Sequence, residues 1–186
     1  MSRSRHWIVD TTGTPTFNDT RTVCIKNSGL DVTDALTAYA DKVVKQLSEI
    51  SGYIVKKNSP SCGLAGVIVY DDNGVPKHDG TGLYIKKIME AKPILPMAEE
   101  DQLANFMWRD NFFESVFVYH QWQQLQISGI TLSKLAAFHA DHQYLITSRS
   151  SPVDQTLNRL VASINGTNLY RLADNYIHQL MFVLKQ

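Results

Sequence analysis

"GYIVKKNSPSCG", Gly52 to Gly63, opens on a short β-branched run and breaks into a loop. Lys56, Lys57, Asn58, Ser59 and Ser61 crowd around Pro60, and the loop closes on Cys62, one of two cysteines in the chain. A loop leaving the C-terminal end of a buried strand is where open α/β sheets place their ligands. Serines and backbone amides there can donate to an anion or a polar base. A cysteine there can act as nucleophile or metal ligand, and Lys56 and Lys57 would favour its thiolate. Nucleophilic cysteine chemistry wants a histidine base, and His78, His120, His139 and His142 sit in no recognisable pairing motif with it. The residues alone leave two readings open: a turn that merely holds a thiol, and a loop that presents it.

Upstream of this stretch, "SGLDVTDALTAYADKVVKQLSEI" places Val32, Leu36, Tyr39, Val43, Leu47 and Ile50 at three- and four-residue spacing, which predicts a helix with that apolar face. Asp31 or Thr33 can cap it by accepting a bond from an early backbone N–H. Before it, "HWIV" and "RTVCIK" read as strand-sized pieces, with Cys24 as a small buried apolar residue. Downstream, "GVIVYD" reads as a strand and "DDNG", Asp71–Gly74, as a turn. "GTGLYIKKIMEAK" reads as a helix with Leu83, Ile85, Ile88 and Met89 inward, its "GTG" a helix entry. "PILP" reads as a last short strand. Helices alternating with buried strands predict an α/β layer with parallel pairing.

Past Met97 glycine almost vanishes. Helices are expected over "EEDQLANFMWRDNFFESVFVYHQWQQLQI", "LSKLAAFHADHQYLITS", "VDQTLNRLVASI" and "NLYRLADNYIHQLMFVLKQ". The expected fold class is therefore α/β plus all-α: a partial Rossmann-like α/β layer over residues 1–97, then a helical bundle over 98–186. Helical spacing assigns most of Phe106, Trp108, Phe112, Phe113, Phe117, Tyr119 and Trp122 to the bundle core. His139 and His142 stand three apart on one helical face, and without further ligands nearby they read as structural or RNA-facing rather than metal-binding.

Composition narrows the function classes. The 186 residues are 44% hydrophobic with zero formal net charge, so neither disorder nor a global basic field is indicated. No apolar run is long enough to span a bilayer, and the start lacks the apolar core of a signal peptide. A cytoplasmic location is the default expectation. Two cysteines are too few for a disulfide framework.

"KKNSPSCG", preceded by "DVTDALTAYA" and "GYIVK" and followed by "VIVYD", "GTGLY" and "PILPMAEE", resembles the thiouracil and thiouridine desulfidase family (TudS-like domains). "RDNFFESVFVY" and "LAAFHADHQYLITSRS" resemble the helical YbgA-type domain, and the order of the two is similar to the tRNA thiouridine desulfidases (RudS-like proteins). The resemblance implies replacement of sulfur by oxygen in thiolated uracil, in tRNA or as a free base. It implies a [4Fe–4S] cluster on three cysteines, of which Cys62 matches one as cofactor and metal ligand. Thiolates suit such clusters, and an open iron can bind a thiocarbonyl sulfur. Ser59 is the expected catalytic hydroxyl, orienting substrate or water. Lys56, Lys57, Lys134 and Arg149 are the expected nucleic-acid contacts, whereas Gln143 stands where the family usually has a lysine.

The family's other two ligands come from a "CxSxCL"-type and a "CPE"-type segment, and neither motif occurs in this sequence. Cys24 matches no ligand motif. The expectation is a desulfidase-type domain lacking its N-terminal segment, followed by a helical domain that ends early. Two functions follow for such a chain: the desulfidase itself, or a non-catalytic RNA-binding or interaction remnant.

Overall fold

The computed structural model describes residues 8–9, 22–23, 30–71 and 73–185, with the backbone alone described at Ile8, Val9 and Asp71. Cys24 and most of "HWIV" and "RTVCIK" lie outside the described residues. The chain forms two compact units. One covers most of the first 104 residues; the other takes Asn105–Gln186 with Ser51–Tyr53 and Ile94–Pro96.

In the first unit, β1 (Ile8–Val9) pairs in parallel with β3 (Val67–Asp71), and β3 pairs antiparallel with β4 (Pro76–Gly80). The register slips between Val67 and Val69, an irregularity in the ladder. The parallel pairing expected from the alternation holds for β1 with β3, and the antiparallel β4 makes the sheet mixed. The reason is the turn after Asp71: Gly74 takes φ +76, the left-handed backbone of a tight hairpin, and a hairpin can only return antiparallel. "PKHDG" was not readable as the returning strand because four of its five residues are exposed and polar or proline.

The helix α1 (Thr33–Gln46) has Val32 at its N-cap with no side-chain cap, so neither Asp31 nor Thr33 fills that place; Asp31 Oδ1, one residue earlier, accepts from Thr33 N–H at 2.8 Å. Hydrogen bonding from Thr33, its side chain first and its backbone N–H second, holds the Asp31 carboxyl below its ordinary pKa. Thr33 Oγ1 also accepts from Val23 N–H. The core of this layer gathers Val23, Val67 and Val69 against Val32, Leu36 and Leu83. Two inward assignments are corrected: Tyr39 is 58% and Met89 41% exposed. Tyr39 lies stacked on Tyr84 of α2 (Leu83–Ala91), ring centroids 5.8 Å apart, and buried Ala40 takes its place on the apolar face.

The strand β2 (Tyr53–Val55) pairs with β5 (Met97–Glu99). Tyr53 N–H donates to Pro96 C=O and Glu100 N–H to Val55 C=O, so the bonds advance together along both strands, as in a parallel pair. "PILP" is therefore not the strand; it is a turn that delivers Met97, and its two prolines could donate nothing to a ladder.

Four helices follow: α3 (Phe106–Ile127), α4 (Leu132–Arg149), α5 (Ser151–Ala162) and α6 (Leu169–Leu184). Side-chain caps set three starts: Asn105, Thr131 and Ser150 each accept from N–H groups two or three residues on. Asn105 thus begins α3 at Phe106, seven residues later than "EED" suggested. Fold class stands as expected, a small sheet region with helices followed by a helical unit. The aromatic assignment does not. Tyr119 and Trp122 are buried with Ser115, Val118 and Leu125, but Phe106, Trp108, Phe113 and Phe117 are exposed. Seven aromatics between 106 and 122 cannot share one face of a helix that advances 3.6 residues per turn. His139 and His142 are buried and fully engaged, His139 with Tyr176 and Asn158, His142 with Phe138 C=O and Gln121.

Candidate functional site

Val55 ends β2 with its side chain buried, and the chain leaves the sheet at Lys56. Asn58 adopts φ +55, a left-handed conformation that asparagine tolerates better than most side chains. After Pro60 the turn closes with Gly63 N–H on Ser59 C=O at 2.9 Å. Inside it, Ser59 Oγ lies 3.4 Å from the backbone N of both Ser61 and Cys62, and 3.0 Å from Ser61 Oγ. Two hydroxyls carry two protons and share one between them, which leaves one to donate outward. Cys62 is a free, half-buried thiol whose Sγ lies 3.9 Å from Lys56 C=O.

The N-terminal end of α2 closes over this turn. Gly82 N–H donates to Gly63 C=O at 2.8 Å, Leu83 N–H to Pro60 C=O at 3.3 Å, and Ile85 N–H to Ser61 C=O at 3.1 Å. First-turn N–H groups have no partner within their own helix, and here the loop carbonyls fill that role. The approach depends on glycine: a Cβ on Gly82 would lie 2.4 Å from Cys62 N and Ser61 C.

Three consecutive acids hold the two ends of the loop. Glu99, itself buried, accepts Leu64 N–H on Oε1 at 2.9 Å. Glu100 accepts Lys57 N–H at 2.6 Å and pairs with the Lys56 ammonium. Asp101 pairs with Lys57 Nζ at 2.5 Å. The hydrogen bond to Glu100 raises the pKa of Lys56, the bond to Asp101 raises that of Lys57, and Glu100 is held below the usual carboxylate range by its bond from Lys56. All three of those charges are solvated, so the pairs fix geometry rather than add much stability.

The structure therefore brings Lys56, Lys57, Ser59 and Cys62 into one loop. Lys134 and Arg149 lie at opposite ends of α4, ~22 Å apart by helical rise. Lys134 Nζ donates to Ser128 C=O at 2.6 Å and Gly129 C=O at 3.1 Å, where it satisfies the C-terminal end of α3. Arg149 donates to Asn111 at 2.6 Å and Glu114 at 2.5 Å. Each of the four cations already has an acceptor within the chain. Glu99 escaped the sequence reading, and Gly82 entered it only as part of the "GTG" helix entry, which the N-cap of α2 matches, and not as a neighbour of the loop. For Gly82 a signal was present in "GTGLY", a glycine directly before a helix; "PMAEE" carries none that singles out Glu99.

A family model described as 2-thiouracil desulfurase matches residues 2–100, more than half of the chain. The chain belongs to that family. Nothing among the curated proteins or the solved structures matches it. The span shared with the 2-thiouracil desulfurase family runs from β1 to β5, contains the whole Cys62 loop with Glu99 and Glu100, and stops one residue short of Asp101.

The [4Fe–4S] cluster implied by the resemblance takes three thiolates. The sequence has two cysteines, Cys24 is outside the described residues, and among the described residues no three His, Cys, Asp or Glu side chains come together. One thiolate on the loop does not fit such a cluster, so no chemical step is routed through it. Among the described residues no helix is long and apolar enough to cross a membrane.

Proposed function

We propose that the Ser59–Gly63 loop receives thiolated uracil and that desulfurisation of that base, sulfur replaced by oxygen, is the chemistry to which this chain contributes. The observation that carries this reading is the construction of the loop: a half-buried free thiol beside a hydroxyl with a proton to spare, inside the segment that matches the desulfurase family. A thiocarbonyl sulfur is soft and a thiol side chain is a soft partner for it or for a metal that binds it. In this reading Ser59 donates to the base or to water, and Cys62 is the one cofactor ligand the loop offers. The helical unit, read as a YbgA-type domain, would add contacts for a thiolated uracil carried in tRNA.

The test uses a Cys24→Ser background, so that a single thiol reports. Alkylation of Cys62 under native conditions is expected to slow about tenfold with 2-thiouracil at ten times its dissociation constant, because only unbound protein reacts. Uracil at the same concentration is expected to leave the rate unchanged. Equal protection by both bases, or by neither, would sink the assignment of this loop.

A second reading, non-catalytic RNA binding, is favoured by the exposed Phe106, Trp108, Phe113 and Phe117 of α3. With Lys56, Lys57, Lys134 and Arg149 already paired, binding of this kind would rest on base stacking and show a shallow salt dependence. A slope of several counter-ions per complex would contradict it.

A further inference from the structure

We propose that Glu99 is a positioning residue for the Cys62 loop: its carboxylate fixes the exit of the turn, and with it the direction in which the Cys62 thiol and the Ser59 hydroxyl face a ligand. This rests on the reading that thiolated uracil is the ligand, and deepens it by naming the group that holds the site in shape.

The loop has an entry at Lys56–Lys57 and an exit at Leu64. At the exit both backbone groups of Leu64 are satisfied by side chains rather than by a strand: the N–H by Glu99 Oε1 at 2.9 Å and the C=O by Thr81 Oγ1 at 3.1 Å. The middle of the turn is held by its closing backbone bond and by the start of α2, which leaves the exit at Leu64 to Glu99 and Thr81. The turn's internal side-chain bonds from Ser61 and Cys62 N–H to Ser59 Oγ are both 3.4 Å long, at the weak end of hydrogen bonding. Glu99 differs from its two acidic neighbours. It is 8% exposed, whereas Glu100 and Asp101 reach solvent and meet lysine side chains that water can replace. A charge-assisted bond to a backbone N–H is among the stronger kinds, and a buried N–H left without its acceptor is costly. Glu99 is in turn fixed from its own backbone, where its N–H donates to Gln102 Oε1 at 2.8 Å. Side chain and main chain of one residue therefore tie the end of β5 to the loop.

The test is made on the full chain in the Cys24→Ser background with Glu99→Gln and Glu99→Ala. Glutamine keeps an oxygen at the same reach, so Leu64 N–H retains an acceptor; alanine does not. Cys62 alkylation is expected to accelerate roughly tenfold in Glu99→Ala, the factor that goes with losing one such bond, and by only about threefold in Glu99→Gln, which keeps the acceptor and loses its charge. Amide exchange at Leu64 is expected to speed up in step with the thiol, while the melting of the helical unit stays in place. A simple loss of packing would not be rescued by glutamine. Should Glu99→Ala fail to fold, Glu99→Asp, one methylene too short to reach Leu64, carries the same expectation. An unchanged thiol rate with Leu64 still protected in the alanine or aspartate variant would overturn the proposal, as would a glutamine variant that behaves like alanine. Protection by 2-thiouracil is read separately. If Glu99→Ala shifts the thiol rate but the base protects no variant, the parent included, the ligand assignment fails and the role of Glu99 stands.

Discussion

Trp122→Ala is expected to destabilise the helical unit by about 3–5 kcal/mol, the range for truncating a fully buried large aromatic. The indole is 1% exposed and sits at the centre of an aromatic group, 5.4 Å from the Phe138 ring edge-on and 6.3 Å from the Tyr176 ring in a stacked arrangement. Its removal leaves a void that these two rings cannot close without breaking the Tyr176–His139 bond. Burial also lifts the Tyr176 phenol well above its ordinary pKa, in keeping with a ring enclosed by this group. Trp122 Nε1 is buried without a partner among the described residues. Trp122→Phe therefore removes an unsatisfied donor as well as one ring of packing, and the two terms are expected to offset to within about 1 kcal/mol. Urea melts followed by far-UV circular dichroism measure both. A loss below about 1 kcal/mol for the alanine variant would show that the core repacks around the gap.

Gly82→Ala is expected to cost roughly 1–3 kcal/mol in the α/β unit, the usual penalty of forced overpacking. The backbone there is ordinary, φ −59 and ψ 136, so the conformation itself suits any residue. What forbids a side chain is space: the added methyl would meet Ser61 C and O and Cys62 N at 2.4–2.5 Å, all of it main chain. Either the helix end lifts or the loop shifts, and both routes break the bonds from Gly82, Leu83 and Ile85 to the loop carbonyls. Faster Cys62 alkylation is expected to accompany the lower melting temperature. Gly166→Ala, where a Cβ meets nothing within 4 Å, is the matched control. Equal melting temperatures for the two variants would mean that the loop tolerates displacement at no cost.

The legible parts of this molecule were those written in local patterns. The face of α1, the hairpin turn at Gly74 and the loop that breaks after Val55 each depend on neighbours within a few residues. "PILP" misled because apolar composition was visible while the hydrogen bonds of Met97–Glu99 to a strand over 40 residues earlier were not. The aromatics of α3 misled for the opposite reason. Spacing marks a face, but only packing against α6 decides which of several apolar faces is covered, and Val118, Tyr119, Trp122 and Leu125 won it. Glu99 looked like one of three surface acids. Nothing local separates it from Glu100, since the backbone group it bonds, Leu64 N–H, lies 35 residues away.

That separation also bears on the order of events when the chain folds. The bonds that shape the Cys62 loop join residues 17, 35, 43 and 44 positions apart, whereas the helical caps close within three. Distant closures carry the larger entropic cost and are made after local ones. The thiol-bearing loop is therefore expected to form after the rate-limiting step, so that loosening it speeds unfolding and leaves the folding rate nearly unchanged. A Glu99→Ala variant that instead folds markedly slower in stopped-flow experiments would place the loop in the nucleus.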